Sequence, residues 1–267
     1  MHLDPSLIAE LREVALEAAR AAAPVTCQYF RSSDLGIDNK DSAGFDPVTL
    51  ADRAAEQAIR AVISKRRPND SILGEEYGTE TGQSGLTWVI DPIDGTRGFM
   101  SGTPTWGTLI SVGNDDGPIL GLIDQPYIGE TFLGGPGFSE LLRGEQKRPL
   151  NVRKGVPLDR ATIFTTFPEV GTDAEGRAFH ALARQARLTR YGMDCYAYGL
   201  IAAGQVDLVV EAGLQTYDIH APIAVIEAAG GIVTDWEGAP VHNGGRVIAA
   251  ATRELHETAL LVLQAAL

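Results

Sequence analysis

The sequence predicts a mixed α/β protein built as one compact unit of two lobes, and three observations support this class. Hydrophobic residues make up 44% of the 267 positions, which suits a globular chain with a full core. In residues 1–145, helical patterns precede short alternating strands, which indicates an antiparallel meander. In residues 146–267, strands alternate with helices, which is typical of an α/β lobe.

The first lobe begins with two predicted helices. Apolar residues at helical spacing predict the first over 5–31. Thr49 and Asp52 have the spacing of a capping box, which predicts that the second begins there and continues to about Arg66. The strands predicted after these helices cover 71–74, 88–90, 106–112, 119–124, 131–134 and 139–143.

The second lobe repeats strand and helix to the end of the sequence. Its predicted strands cover 161–165, 188–191, 206–211, 232–234 and 247–250. Its predicted helices cover 173–185, 195–203, 218–229 and 254–266.

Charge and composition limit the kinds of partner. The net charge of −13 argues against nucleic acid, which normally meets a basic surface. No apolar run is long enough to span a membrane, and the N-terminal residues do not form a signal-peptide pattern. The two cysteines lack C-x-x-C spacing and are predicted to be reduced thiols, so we expect a cytoplasmic protein.

The most informative stretch runs from Trp88 to Thr96. Three apolar residues predict a buried strand, Pro92 interrupts its ladder, and Gly95 permits a tight turn. Asp91 and Asp94 are thereby held close together, where they repel each other unless a positive charge intervenes. Mg²⁺ is the natural partner, because it takes carboxylate oxygens and leaves coordination positions for phosphate. A solvated Asp-Pro turn is the alternative interpretation.

The motif Asp91-Pro-Ile-Asp94-Gly-Thr96, followed by Phe99, closely resembles the first signature of the inositol monophosphatase family. These metal-dependent phosphatases are related in fold to fructose-1,6-bisphosphatase. Tyr217-Asp218, before a helix closed by Gly230-Gly231, resembles the second signature, although His220 stands where the family usually has a small residue. The resemblance implies a layered αβαβα sandwich that often forms a homodimer.

The resemblance also implies a ligand set for two Mg²⁺ ions, with a third, weaker position near Lys40. The implied ligands are Glu75, Asp91, the Ile93 carbonyl, Asp94 and Asp218. Asp52, which follows Asp46-Pro-Val-Thr49, is expected to pair with Thr96 and, with Glu75, to orient the attacking water. Helix capping alone is an equally open explanation for Asp52.

Residues expected to contact the substrate follow from the same comparison. Gly95, Thr96 and Arg97 are assigned to phosphate, where Arg97 replaces a second threonine and offers a bidentate contact. The stretch from Arg190 through Asp194 to Tyr198, followed by Glu211, looks most like the histidinol-phosphatase branch. Carboxylates at Asp194 and Glu211 suit a substrate with an ammonium and an imidazole, although Glu211 also matches a substrate-contacting position of inositol phosphatases and does not discriminate between the two. Capping of the next helix is the alternative role for Asp194.

Three functions therefore remain open from the sequence. The first is hydrolysis of L-histidinol phosphate by water activated at a magnesium site. The second is an inositol-1-monophosphatase or a broad sugar-phosphate phosphatase. The third is a non-catalytic protein that keeps the fold and binds a metal or phosphate. Intact Glu75 and Thr96 disfavour the third function.

Overall fold

The structure is a computed structural model that describes residues 4–32, 38–39 and 47–267. The helices within these ranges are α1 Pro5–Tyr29, α2 Leu50–Arg66, α3 Thr96–Ser101, α4 Asp173–Ala183, α5 Tyr196–Ala202, α6 Thr216–Ala228 and α7 Arg253–Ala266. The strands are β1 Asp38–Asn39, β2 Pro47–Val48, β3 Ser71–Gly74, β4 Gly78–Glu80, β5 Thr87–Asp94, β6 Gly107–Asn114, β7 Gly117–Gln125, β8 Glu130–Gly135, β9 Phe138–Arg143, β10 Gln146–Pro149, β11 Thr162–Thr165, β12 Leu188–Tyr191, β13 Leu208–Leu214, β14 Ile232–Thr234 and β15 Gly245–Ala250.

Two sheets organise these strands. The first has eight strands in the order β10-β9-β8-β7-β6-β5-β3-β4, and it is antiparallel except where β3 runs parallel to β5. The second has five strands in the order β12-β11-β13-β15-β14, with β11 parallel to both of its neighbours. A separate two-stranded pair joins β1 and β2.

Helices cover both faces of the first sheet, which explains why its strands are apolar at consecutive positions. Ile110 and Leu122 point toward α1 and α2, where they join Leu11 and Ile59 in one core cluster. Their strand neighbours Leu109, Ile123 and Phe132 point the opposite way and pack against α5 and α6.

Two glycines of the first sheet face helix α6 and allow their backbones to meet it in direct contact. A Cβ atom on Gly121 would lie 2.3 Å from the carbonyl oxygen of Ala221, and one on Gly134 would lie 2.6 Å from the Cα of Val225. Any side chain at these positions would push the helix outward. The glycines thereby fix the position of α6, whose first turn carries Asp218.

The second sheet completes the stack of layers. Val209 and Ala249 contact the α5–α6 layer, whereas Leu208 and Ile248 belong to the cluster that includes α4 and α7. The order is therefore α1–α2, first sheet, α5–α6, second sheet and α4–α7. This mixed α/β stack confirms the predicted αβαβα sandwich.

Several boundaries differ by a few residues from those expected, and two of the differences affect the first sheet. Strand β10 pairs with β9, so the first sheet continues to Pro149, past the division predicted at residue 145; the two-lobe division itself stays a prediction. Strand β5 extends to Asp94 rather than ending at Ile90, because its ladder with β6 resumes after an irregularity. Among the described residues, no helix has both the length and the hydropathy needed to cross a membrane.

A buried carboxylate connects the chain before β11 to the second sheet. Asp207 is fully buried and accepts hydrogen bonds from the Arg153 side chain, at 2.9 Å from Nε, and from the Thr162 amide at 2.7 Å. Its own backbone carbonyl accepts from Ala251. One acidic side chain thus satisfies donors from two separate segments.

His220 lies on α6 and faces the interior. Its ring packs edge to face against His242, with centroids 6.1 Å apart, and its Nδ1 has no hydrogen-bond partner among the described residues. Burial, reinforced by His242, lowers the pKa of His220 to about 4. The imidazole is therefore neutral in the folded protein at neutral pH.

Replacing Asp207 with Asn should destabilise the protein by about 2 kcal/mol, because the Arg153 guanidinium loses its partner while remaining partly exposed. Urea unfolding at pH 7.5 measures this change. Glu237→Gln is the matched control, since Glu237 pairs with Arg246 at the exposed surface and should change stability by less than about 0.5 kcal/mol. Equal effects for the two variants would contradict the role given to Asp207.

Lowering the pH should remove the contribution of His220 to stability. Its folded pKa lies below the ordinary value of 6.5, so the unfolded state binds more protons and stability falls as the pH drops from 6.5 toward 4. At pH 5 this loss is about 2 kcal/mol relative to pH 7.5. Urea unfolding at both pH values should show a correspondingly smaller loss for His220→Gln, and identical losses would refute the assignment.

Candidate metal centre and active site

The end of β5 places two carboxylates side by side. The ladder with β6 is regular up to Asp91 and resumes at Asp94, and Pro92 lies in the irregular segment between them. The Ile93 amide turns back to donate to Oδ1 of Asp91 at 3.0 Å. Asp91 is buried, and Asp94 accepts a hydrogen bond of 2.7 Å from the Cys195 amide at the start of α5. The interrupted strand therefore has the form that its sequence predicts.

The first turn of α6 adds a third carboxylate. Asp218 closes a capping box with Gln215, whose backbone amide donates to Oδ2 of Asp218 at 2.6 Å. Asp91, Asp94 and Asp218 each offer an oxygen, and these three oxygens lie within 4.8 Å of one another. We call this group the first carboxylate cluster. It joins residues that are more than a hundred positions apart.

A second carboxylate cluster lies next to the first and consists of Asp52, Glu75 and Glu76, whose oxygens also lie within 4.8 Å of one another. Asp52 comes from the first turn of α2, and the two glutamates follow β3. Glu75 interacts electrostatically with both Asp91 and Asp218 of the first cluster. The two clusters therefore form one continuous acidic centre.

Burial and mutual repulsion raise the pKa of four carboxyl groups in this centre. Burial and then repulsion from neighbouring carboxylates raise the pKa of Asp91 and of Asp94 well above the ordinary range. Burial is also the main cause that raises the pKa of Asp52 and of Asp218, each to about 7. A divalent cation would relieve this repulsion. The all-oxygen donor set fits Mg²⁺, so these residues could hold the metal that the sequence predicts.

A cavity of about 270 Å³ opens beside the first cluster. Its walls include Asp94 and Asp218 from the cluster, Gly95 from the following turn, and Asp194, Glu211 and Phe167 from the second half of the chain. His220 is not part of its lining. The space lies where a substrate would meet the acidic centre.

Asp194 faces this cavity in a constrained conformation. Its φ of 44° is left-handed, and its Oδ2 accepts from the Thr105 hydroxyl at 2.8 Å. Burial raises the pKa of Asp194, and the Thr105 hydroxyl and then the Arg97 guanidinium partly offset that effect. The capping alternative is wrong, because Cys195 occupies the cap position of α5 and no side chain caps it.

Glu211 is buried in the cavity wall and accepts hydrogen bonds at both of its carboxylate oxygens. It accepts from the Thr166 amide at 3.0 Å and from the Tyr198 hydroxyl at 2.6 Å. Its pKa is raised by burial, although both partners favour the ionised form. Glu211 and Asp194 are thus two acidic groups on one cavity wall, each oriented by a hydroxyl.

The turn after Asp94 is packed tightly against Asp194. Gly95 has a φ of 83°, and a Cβ atom there would lie 2.7 Å from the Asp194 side chain. Arg97 also lines the cavity, and its guanidinium lies 4.8 Å from the ring centroid of Phe167. The predicted phosphate-contacting turn therefore borders the cavity, and Gly95 is required by both conformation and space.

One expected pairing needs correction, and two residues named from the sequence lie outside the described part of the chain. The predicted Thr96–Asp52 pair is not formed, because Thr96 donates to the Ile93 carbonyl at 3.2 Å and Asp52 accepts from Thr49. Asp52 caps α2 and also belongs to the second cluster, so capping is confirmed while its role toward water stays a prediction. Arg190, which the sequence places only at the periphery of the site, is exposed on edge strand β12 and does not line the cavity. Lys40 and Asp46 lie outside the described residues.

Sequence reasoning overlooked several residues of the site. The family resemblance implies a ligand role for Glu75 and none for its neighbour Glu76, although both belong to the second cluster. Thr105, Thr166 and Tyr198 orient the two wall carboxylates, and Phe167 presents an exposed ring beside Arg97. The sequence Gly74-Glu75-Glu76 could have indicated Glu76, but no local pattern marks the three residues whose hydroxyls orient the wall carboxylates.

Comparison with known proteins agrees with this geometry. Residues 7–266 match the inositol monophosphatase family. The Arabidopsis thaliana protein named bifunctional phosphatase IMPL2, chloroplastic, is 38% identical over 257 residues, which cover 92% of this chain and 72% of the relative. A histidinol-phosphatase from Chlorobaculum parvum is 34% identical over 227 residues, covering 85% and 86% of the two chains.

A solved structure extends the likeness to three dimensions. An inositol monophosphatase from Zymomonas mobilis superposes with a TM-score of 0.83 at 38% identity, covering 94% of this chain and 96% of the other. Family match, sequence identity and fold agree over nearly the whole length. The chain therefore belongs to the inositol monophosphatase family of Mg²⁺-dependent phosphatases and counts histidinol-phosphatases among its relatives.

Proposed function

We propose that this protein is a Mg²⁺-dependent phosphate monoester hydrolase whose substrate is L-histidinol phosphate. The observation that carries the proposal is the convergence of six carboxylates, from four separate segments of the chain, beside one cavity. Capping or solvation accounts for single acidic residues, but buried carboxylates that repel one another call for a cation.

The proposed metal ligands come from both clusters. They are Glu75, Asp91, the Ile93 carbonyl, Asp94 and Asp218, which together suit two Mg²⁺ ions. The Ile93 carbonyl already accepts from Thr96 and keeps a second lone pair for a cation. Bound Mg²⁺ supplies charge that neutralises a phosphate ester and lowers the pKa of a coordinated water.

The remaining roles fall to side chains around the ligands. Asp52 and Glu75 approach each other in the second cluster, and the raised pKa of Asp52 suits a group that orients water or accepts its proton. Gly95, Thr96 and Arg97 border the cavity beside Asp94, which supports their assignment to the phosphate. The guanidinium of Arg97 adds a charge-assisted donor.

The choice of substrate rests on the opposite wall. Histidinol phosphate carries an ammonium group and an imidazole, and the same cavity offers two acidic groups, the half-buried Asp194 and the buried Glu211. Carboxylates in a low-dielectric wall attract cations strongly. The histidinol-phosphatase relative supports this choice as well.

Hydrolysis of inositol 1-phosphate or of sugar phosphates is the second candidate. The hydroxyl groups of Thr166 and Tyr198 on Glu211 form a polar wall that also suits a polyol. The inositol monophosphatase from Zymomonas mobilis, at 38% identity, favours the same alternative.

A phosphate-release panel with excess Mg²⁺ separates these functions. We expect kcat/KM for L-histidinol phosphate to exceed that for inositol 1-phosphate and for sugar phosphates by about tenfold or more. A reversed preference would assign the protein to the second candidate. No release from any monoester would leave only the non-catalytic metal- or phosphate-binding function.

Replacing Asp91 with Asn should reduce kcat/KM by about a thousandfold on every monoester, because a ligand of the metal centre loses its charge. Asp116→Asn is the control, since Asp116 lies on the exposed turn between β6 and β7 and should leave the rate unchanged. A D91N variant that keeps most of its rate would rule out the ligand assignment.

Replacing Asp194 with Asn should lower kcat/KM for L-histidinol phosphate by about ten- to a hundredfold and leave p-nitrophenyl phosphate nearly unaffected. The amide can still accept from the Thr105 hydroxyl, so the wall should keep its shape while it loses charge. The ratio of the two kcat/KM values is the readout. Equal losses on both substrates would show that Asp194 supports the site without recognising a cation.

A further inference from the structure

One buried carboxylate lies next to the acidic centre without belonging to either cluster. Glu56, on α2, is fully buried. Its Oε2 accepts from the Glu76 amide at 2.7 Å, and its Oε1 accepts from the Tyr77 amide at 3.1 Å. A single side chain thus holds two consecutive amides of the turn that presents Glu75 and Glu76.

Arg60 completes this contact one turn later on α2. Its Nε donates to Oε1 of Glu56 at 2.8 Å, and its Nη2 donates to the Gly78 carbonyl at the start of β4. The guanidinium thereby gives Oε1 of Glu56 a charge-assisted hydrogen bond in addition to the one from the Tyr77 amide. The turn after β3 is therefore held at the Glu76 and Tyr77 amides and at the Gly78 carbonyl. These hydrogen bonds involve charged side chains, and charge-assisted hydrogen bonds are about twice as strong as neutral ones.

Gly74 supplies the space that this contact needs. A Cβ atom at Gly74 would lie 2.1 Å from Oε1 of Glu56 and 2.8 Å from Nη2 of Arg60. Gly74 does not have a positive φ, so its backbone would accept alanine and only the contact forbids a side chain. The glycine before the two glutamates is therefore explained by the position of Glu56.

We propose that Glu56 is a positioning residue for the metal centre: by fixing the amides of Glu76 and Tyr77, it directs the carboxylates of Glu75 and Glu76 into the second cluster. This inference rests on the proposed function, because it takes Glu75 to be a metal ligand. Asp52 lies one turn before Glu56 on α2, so one helix both contributes to the second cluster and orients its other two members.

Glu56→Gln tests the proposal. The NH₂ group of the new glutamine cannot accept a hydrogen bond. Whichever way the glutamine amide is turned, it loses either the bond from the Glu76 amide or the bonds from the Tyr77 amide and Arg60. We expect Mg²⁺ binding, measured by isothermal titration calorimetry without substrate, to weaken by about ten- to a hundredfold, as is typical when the support of a metal ligand is lost. At saturating Mg²⁺, kcat should return to within about threefold of the parent, as expected when the support is lost but the ligands remain.

Asp207→Asn is the matched control, because Asp207 is also a fully buried carboxylate that accepts from an arginine and a backbone amide. It should lose stability without losing Mg²⁺ affinity. Gly74→Ala is a second variant that disturbs the same contact without altering Glu56, and it should weaken Mg²⁺ binding in the same direction.

Parental Mg²⁺ affinity in both E56Q and G74A would overturn the positioning role, even if both proteins were less stable. An equal loss of affinity in D207N would overturn it too, because general destabilisation would then explain the result. The parent protein is measured in the same titrations. If the parent neither binds Mg²⁺ nor releases phosphate, the proposed function fails first and the role of Glu56 fails with it.

Discussion

Repulsion among buried and half-buried carboxylates is the constraint on which the rest of this structure depends. Oxygens of the first carboxylate cluster lie within a few ångströms of one another, and Glu75 of the second carboxylate cluster interacts with Asp91. Removing a lone carboxylate from water is costly, and placing several together costs more. The burial of two large sheets between helices offsets this cost. The same repulsion prepares the site for a divalent cation and so allows an acidic chain of net charge −13 to accept an anionic ester.

The layered architecture is what makes the convergence possible. In the first sheet, β5 ends beside the turn that follows β3, and α2 lies over that turn. Helix α6 reaches the same point from the middle layer, held close to the sheet by Gly121 and Gly134. The substrate-facing wall comes from the second sheet and from the start of α5. Neither sheet alone contains all six carboxylates, so the site exists only when the layers are packed.

The sequence predicted those parts of the site that are encoded locally. The strand at 88–90, the interruption at Pro92 and the turn at Gly95 each have a short-range cause, and β5 follows them. Asp52 and Asp218 were located by capping patterns and by family resemblance, and both now lie in carboxylate clusters. The alternation of strands and helices predicted the α/β lobe, and the family resemblance implied the αβαβα stack.

Other features depend on contacts between distant segments, which local patterns do not reveal. Glu56 reads as an ordinary helix residue until its carboxylate is seen to meet the Glu76 amide. The Thr105 hydroxyl that holds Asp194 comes from 89 residues earlier in the chain. Thr96 selects the nearby Ile93 carbonyl over the expected partner, because the turn places that acceptor within reach.

Crystals grown with Mn²⁺, which replaces Mg²⁺ at oxygen sites and scatters anomalously, test the central claim most directly. The account predicts anomalous peaks about 2.0–2.3 Å from carboxylate oxygens of Glu75, Asp91 and Asp218. Peaks confined to other surfaces, or no peak at saturating Mn²⁺, would contradict it.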